Sequence, residues 1–148
     1  ACDAARAAGA NVHPRATYLA MEGPQFSSRA ESLLYRQWGA QVIGMTAMPE
    51  AKLAREAELP YALVGMVTDY DCWRKNEAPV EVEAVIAQLL ANAAIARSLV
   101  EHLAVSLTGP RQASPIDTAL DAALITDPTA RDPHLVAMLD AVAGRALG

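Results

Sequence analysis

The chain has 148 residues, 53% of them apolar, and a formal net charge of −5. That length suits a single domain with a real core, and the apolar content argues against disorder. The acidic balance leaves no basic patch for nucleic acid, and no apolar stretch reaches the length of a membrane span.

Cys2 and Cys72 lie far apart and form no C-x-x-C or Cys/His spacing. Neither a disulfide framework nor structural zinc is expected, so a reducing cytoplasm is the default. No signal peptide is read.

The chain opens without an initiator Met on Ala1-Cys2-Asp3-Ala4-Ala5-Arg6-Ala7-Ala8-Gly9. This reads as the end of an amphipathic helix closed by glycine, and as the continuation of something longer. Ala16 to Met21 alternates weakly and predicts a strand, ended by Glu22-Gly23-Pro24. Ser28-Arg29-Ala30-Glu31 is a capping box, and the helix it opens stops at Gly39. Gln41 to Met45 predicts a second strand. Thr46-Ala47-Met48-Pro49-Glu50 begins a further helix, with Pro in the first turn and Glu complementing the dipole.

The continuous apolar run Ala62-Leu63-Val64-Gly65-Met66-Val67 predicts a third strand, buried and parallel. Pro79 and Glu81 start a long helix to about Leu107. Its 3.6-period stripe runs through Val82, Val85, Ile86, Leu89, Leu90, Ala93, Val100 and Leu103. Ile116 to Leu124 reads as a short helix, and Asp132-Pro133 opens the last one. This alternation predicts an α/β fold with largely parallel pairing in one domain, with 107–148 as a helical extension.

Thr68-Asp69-Tyr70-Asp71-Cys72-Trp73 follows the third predicted strand, where open α/β sheets place ligands. Asp69 and Asp71 have three readings: solvated loop residues, ligands of a divalent cation, or acceptors facing a heterocycle. No further acidic or His cluster completes a metal site. An aspartate that protonates a leaving group needs a raised pKa, which a dry pocket supplies. Thr46, at a strand-to-helix turn, reads as an N-cap or as part of an anion site. Phe26, the only Phe, either stacks on a planar ligand or plugs a gap between helix and strand. Met45 ends a strand and reads more readily as core. His102 and His134 read as solvated, and Cys72 as a buried, inert thiol.

Three stretches now stand in order: Met21-Glu22-Gly23-Pro24-Gln25-Phe26-Ser27-Ser28-Arg29-Ala30-Glu31-Ser32, Gly44-Met45-Thr46-Ala47-Met48-Pro49-Glu50, and Val67 to Trp73. Together they resemble the methylthioadenosine phosphorylases of the trimeric purine nucleoside phosphorylase family. The resemblance implies the C-terminal half of a purine nucleoside phosphorylase-like fold, a mixed central sheet flanked by helices. It implies a pentosyltransferase that phosphorolyses S-methyl-5′-thioadenosine to adenine and 5-methylthioribose 1-phosphate, for purine and methionine salvage.

By the same resemblance Phe26 packs on the purine, Met45 lies along the ribose and Thr46 contacts phosphate. Asp69 hydrogen-bonds N7 and the exocyclic amine region and supports the leaving group, with Thr68, Tyr70 and Asp71 beside it. Val82, Val85 and Ile86 wall the methylthio pocket. The related 6-oxopurine phosphorylases carry Asn at position 69 and Glu at position 27, so Asp69 with Ser27 favours 6-aminopurines.

Phosphate is then a co-substrate and no metal or cofactor is expected. The partners implied are nucleoside and phosphate, a homotrimer, and a second chain or segment supplying the N-terminal half. Neither nucleic acid nor membrane is expected. A non-catalytic half-chain or purine-binding module, and a 6-oxopurine phosphorylase, are the alternatives.

Overall fold

A computed structural model describes residues 1–74 and 82–148, with Val82, Ala84 and Val85 described by backbone alone. Two compact units emerge, residues 1–45 with 63–111, and residues 46–62 with 112–148.

In the first unit the order is α1 (Cys2–Ala7), β1 (Tyr18–Ala20), α2 (Arg29–Gln37), β2 (Val42–Gly44) and, after α3 of the second unit (Glu50–Glu56), α4 (Val82–Ser106). The strands β1 and β2 pair in parallel, with Tyr18 opposite Val42, Leu19 opposite Ile43 and Ala20 opposite Gly44. The crossover between them is α2, as a parallel pair requires. Its start matches expectation: the Ser28 side chain accepts from the Glu31 amide and Glu31 reaches back to the Ser28 amide. Gly9 and Gly39 take positive φ where α1 and α2 have ended, the backbone that glycine allows.

The buried core of this unit is small. Ala4, Ala5 and Leu99 pack together, with Ala8, Ala10, Val12 and Leu103 around them. Small side chains on α1 let it approach α4 closely. The buried face of α4 meets the predicted stripe at Leu103 but otherwise departs from it: Leu99 and Asn92 are buried, whereas Ile86, Leu89, Leu90 and Val100 are exposed. α1 covers only one side of a helix whose apolar residues spread round most of its circumference, so the apolar pattern could not say which side. Asn92 is satisfied, accepting from Gln88 Nε2 and donating to the Val67 carbonyl, both at 3.0 Å. Pro79 and Glu81, the expected helix start, lie outside the described residues.

The third expected strand is not formed. Residues 62–67 make no strand, and Leu63, Val64 and Val67 are exposed. A buried parallel strand needs ladder partners and covering layers. At Gly65 this run comes near Val42 Cγ1 of β2, and it hands the Val67 carbonyl to the Asn92 side chain.

The second unit holds α3, two short 3-10 turns (Pro115–Thr118 and Pro128–Ala130) and α5 (Pro133–Leu147). Where a short helix was expected over 116–124, the chain makes the first 3-10 turn and further turns. Asp132 caps α5, accepting from the His134 and Leu135 amides. The unit is tied by charge. Glu58 takes both Nε and Nη2 of Arg145 at 2.5 Å, and Arg145 also reaches Asp121 at 2.6 Å. No helix among the described residues is long and apolar enough to cross a membrane.

Candidate functional site

The loop after Val67 is organised by its own carboxylates. Asp69 Oδ2 accepts from the Thr68 hydroxyl at 2.7 Å, and Asp69 Oδ1 accepts from the Asp71 amide at 2.8 Å. Asp71 sits at φ +58°, a left-handed conformation that Asp tolerates better than most residues. That turn aims the Asp71 amide back at Asp69.

The loop is also fastened to α2. Ser32 Oγ, only 2% exposed, donates to Asp71 Oδ2 at 2.6 Å. One turn later the Arg36 guanidinium lies 3.6 Å from the centre of the Trp73 ring. Tyr70 meets Trp73 edge to face with ring centres 6.3 Å apart, and Arg74 covers Tyr70. The Cys72 thiol donates to the Ser27 carbonyl at 3.3 Å. Burial of its sulfur, then the neighbouring Asp71 charge, raise the thiol pKa above the ordinary 9.0. Cys72 as a residue is exposed rather than buried, which departs from the expectation. The raised pKa disfavours the thiolate.

Phe26 is 83% exposed and lines an open cleft of about 510 Å³ with Met21, Gly23, Ser27, Tyr35 and Trp38. Neither Asp69 nor Asp71 lines that cleft; Ser27 joins the two regions, facing the cleft and holding Cys72 by its carbonyl. Ser27 Oγ lies 3.7 Å from Met21 Sδ. Met45 packs on Gly23, where a Cβ would come within 3.0 Å of Met45 Sδ. Gly23, at φ +71°, is required there both by conformation and by space.

Other expectations change. Asp69 is exposed, so no dry pocket encloses it among the described residues. Thr46 is not an N-cap: α3 begins at Glu50 behind Pro49, which has no side chain to cap it. Thr46 belongs to the second unit and is exposed. Ile86 is half exposed, and the side chains of Val82 and Val85 lie outside the described residues. His102 and His134 are exposed, as expected. Among the described residues no three His, Cys, Asp or Glu side chains come together as a metal site.

Ser32 and Arg36 are the site residues that the sequence reading assigned no role. Their spacing carried the signal, since positions i and i+4 share one face of a helix. Nothing local said that this face meets residues 71–73.

A family model described as the phosphorylase superfamily matches residues 1–104. The chain belongs to the phosphorylase superfamily. It is 59% identical to the S-methyl-5′-thioadenosine phosphorylase of Cereibacter sphaeroides, over 98% of this chain and 51% of that protein. It is 57% identical to that of Rhodospirillum rubrum, over 89% of this chain and 46% of that protein. The phosphorylase-family chain thus spans about half the length of the curated relatives it matches.

Among solved structures it matches a methylthioadenosine phosphorylase from an antarctic soil metagenomic library, with a TM-score of 0.85 and 42% identity. That match covers 95% of this chain and 50% of the other. A second is the Schistosoma mansoni methylthioadenosine phosphorylase in complex with adenine, with a TM-score of 0.68 and 29% identity, over 80% of this chain and 47% of that one. The expected fold is met: this is part of a purine nucleoside phosphorylase-like α/β fold.

Proposed function

We propose that this chain is the purine-reading half of an enzyme that phosphorolyses S-methyl-5′-thioadenosine to adenine and 5-methylthioribose 1-phosphate. The observation that carries the reading is the Asp69 carboxylate, held on both oxygens by Thr68 and Asp71. A carboxylate has about four lone-pair sites. Two are taken by these donors, so one on each oxygen is left for the two donors of an aminopurine edge, N6–H and a protonated N7. A relative 59% identical bears the matching name.

In the proposed reaction a phosphate oxygen bonds to the anomeric carbon as the bond from that carbon to N9 breaks. The electron pair goes to the purine, and N7 takes up a proton from solvent water. Asp69 stabilises the departing base by accepting the N7 hydrogen bond. Phe26 stacks on the base, Met45 lines the ribose and Thr46 binds phosphate. Tyr70 and Asp71 complete the base-reading loop, and Val82, Val85 and Ile86 line the thioether pocket. Ser27, where the 6-oxopurine phosphorylases carry Glu, favours a 6-aminopurine together with Asp69. Inorganic phosphate is the co-substrate, with no metal or cofactor.

A second segment supplying the N-terminal half fits the exposed apolar side chains of residues 63–67 and α4. A cytoplasmic homotrimer completes the proposal.

The test is phosphate-dependent adenine release from S-methyl-5′-thioadenosine by this chain joined to its N-terminal half. Release is expected, with much weaker activity on inosine. No release, or equal activity on inosine, contradicts the reading. Calorimetric titration of the 148-residue chain with the nucleoside and phosphate separates the non-catalytic alternative, which predicts nucleoside binding without phosphate coupling.

A further inference from the structure

We propose that Ser32 and Arg36, one turn apart on α2, are positioning residues for Asp69, acting through a clamp on residues 71–73. The role in catalysis rests on the function proposed above; the clamp itself rests on geometry alone.

Asp69 depends on the Asp71 amide for one of its two hydrogen bonds. That amide points at Asp69 only while Asp71 keeps its left-handed backbone, a conformation that costs any residue with a Cβ, Asp less than most. Something must hold it there. Ser32 does so directly: its hydroxyl is buried and closes a 2.6 Å bond to Asp71 across 39 residues of sequence. Arg36 holds the other end of the turn by covering Trp73 at 3.6 Å. A helix is a rigid ruler, and residues four apart lie on one face. The spacing of Ser32 and Arg36 therefore fixes Asp71 relative to Trp73, and with them the direction of the Asp71 amide. Neither side chain hydrogen-bonds Asp69, whose partners are Thr68 and Asp71, so each acts through the turn.

The order of importance follows from the bonds. A hydrogen bond to a charged group, once lost, corresponds to roughly a tenfold to hundredfold change in an equilibrium. A partly exposed cation–π contact corresponds to about two- to fivefold.

The experiment compares Ser32→Ala, Ser32→Thr and Arg36→Met in the complete enzyme, by hydrogen exchange and by steady-state kinetics. In Ser32→Ala the Asp71 amide is expected to exchange at least about tenfold faster, by the loss of that bond, while β1 and β2 amides keep their rates. In Ser32→Thr, which keeps the hydroxyl, exchange stays near the parent rate. Arg36→Met gives the smaller change and serves if Ser32→Ala does not fold. Kinetically, adenine release should slow in the same order, with the KM for phosphate unchanged.

Unchanged exchange at Asp71 in both Ser32→Ala and Arg36→Met overturns the clamp, whatever the activity. Faster exchange with unaltered turnover overturns the positioning role. A parent enzyme that releases no adenine overturns the proposed function, and the positioning role with it, while the exchange data still decide the clamp.

Discussion

Asp69 and Asp71 were ambiguous as letters, and their partners separate them. Asp69 accepts from its own loop on both oxygens, whereas Asp71 spends one oxygen on Ser32 and its amide on Asp69. Asp69 is thus the residue with regularly placed acceptor sites to offer, and Asp71 is its support. Their neighbour Cys72 gives a direct reading of this charge. Its pKa is raised by burial of the sulfur and then by Asp71. The pH midpoint for alkylation of Cys72, followed by peptide mass spectrometry, should lie above the ordinary 9.0, and Asp71→Asn should lower it. A midpoint at or below the ordinary value contradicts the arrangement. The loop was legible as an acidic turn because its residues are local. Ser32 was not, because its bond to Asp71 spans 39 positions and no local rule reaches so far.

At the scale of elements, boundaries set by side-chain chemistry were readable and those set by distant packing were not. The Ser28–Glu31 box opens α2 and Asp132 opens α5, both as their sequences imply. The cap on α2 matters for the site, since α2 carries Ser32 and Arg36. Its Ser28 hydrogen bonds also hold the Glu31 carboxyl below its ordinary pKa. Ser28→Ala should lower stability by about 1 kcal/mol, measured by urea unfolding, through loss of the cap. A change under a few tenths would show that α2 does not depend on it. The run 62–67 was misread as a buried strand because an apolar run states a need for cover, not its presence. Thr46 was misplaced because α3 starts four residues later, behind Pro49.

At the scale of the molecule, ionic contacts of Arg145 with Glu58 and Asp121 tie the second unit together. The Glu58 side chain is 10% exposed, and its carboxyl is held below the ordinary 4.5, first by the Arg145 hydrogen bonds. A depressed folded pKa gives stability that is complete above the unfolded value and lost as pH falls through the folded one. Stability followed by urea unfolding should therefore fall as pH drops below about 4.5, and Arg145→Met should flatten that slope. An equally steep slope in the variant contradicts the assignment. The first unit, by contrast, leaves apolar side chains on residues 63–67 and α4 exposed, in a chain that spans about half the length of its relatives.

The central claim is that Asp69 reads a 6-aminopurine as it departs. In Asp69→Asn, the Asp71 amide still needs an acceptor, so the amide oxygen takes that place and the NH₂ turns toward the substrate edge. The decisive measurement is kcat/KM of the complete enzyme on S-methyl-5′-thioadenosine and on inosine, for the parent and for Asp69→Asn. The account predicts that the variant loses roughly 10²–10⁴-fold on the aminopurine while its relative preference moves toward inosine. An Asp69→Asn enzyme with unchanged kcat/KM and unchanged preference would contradict it.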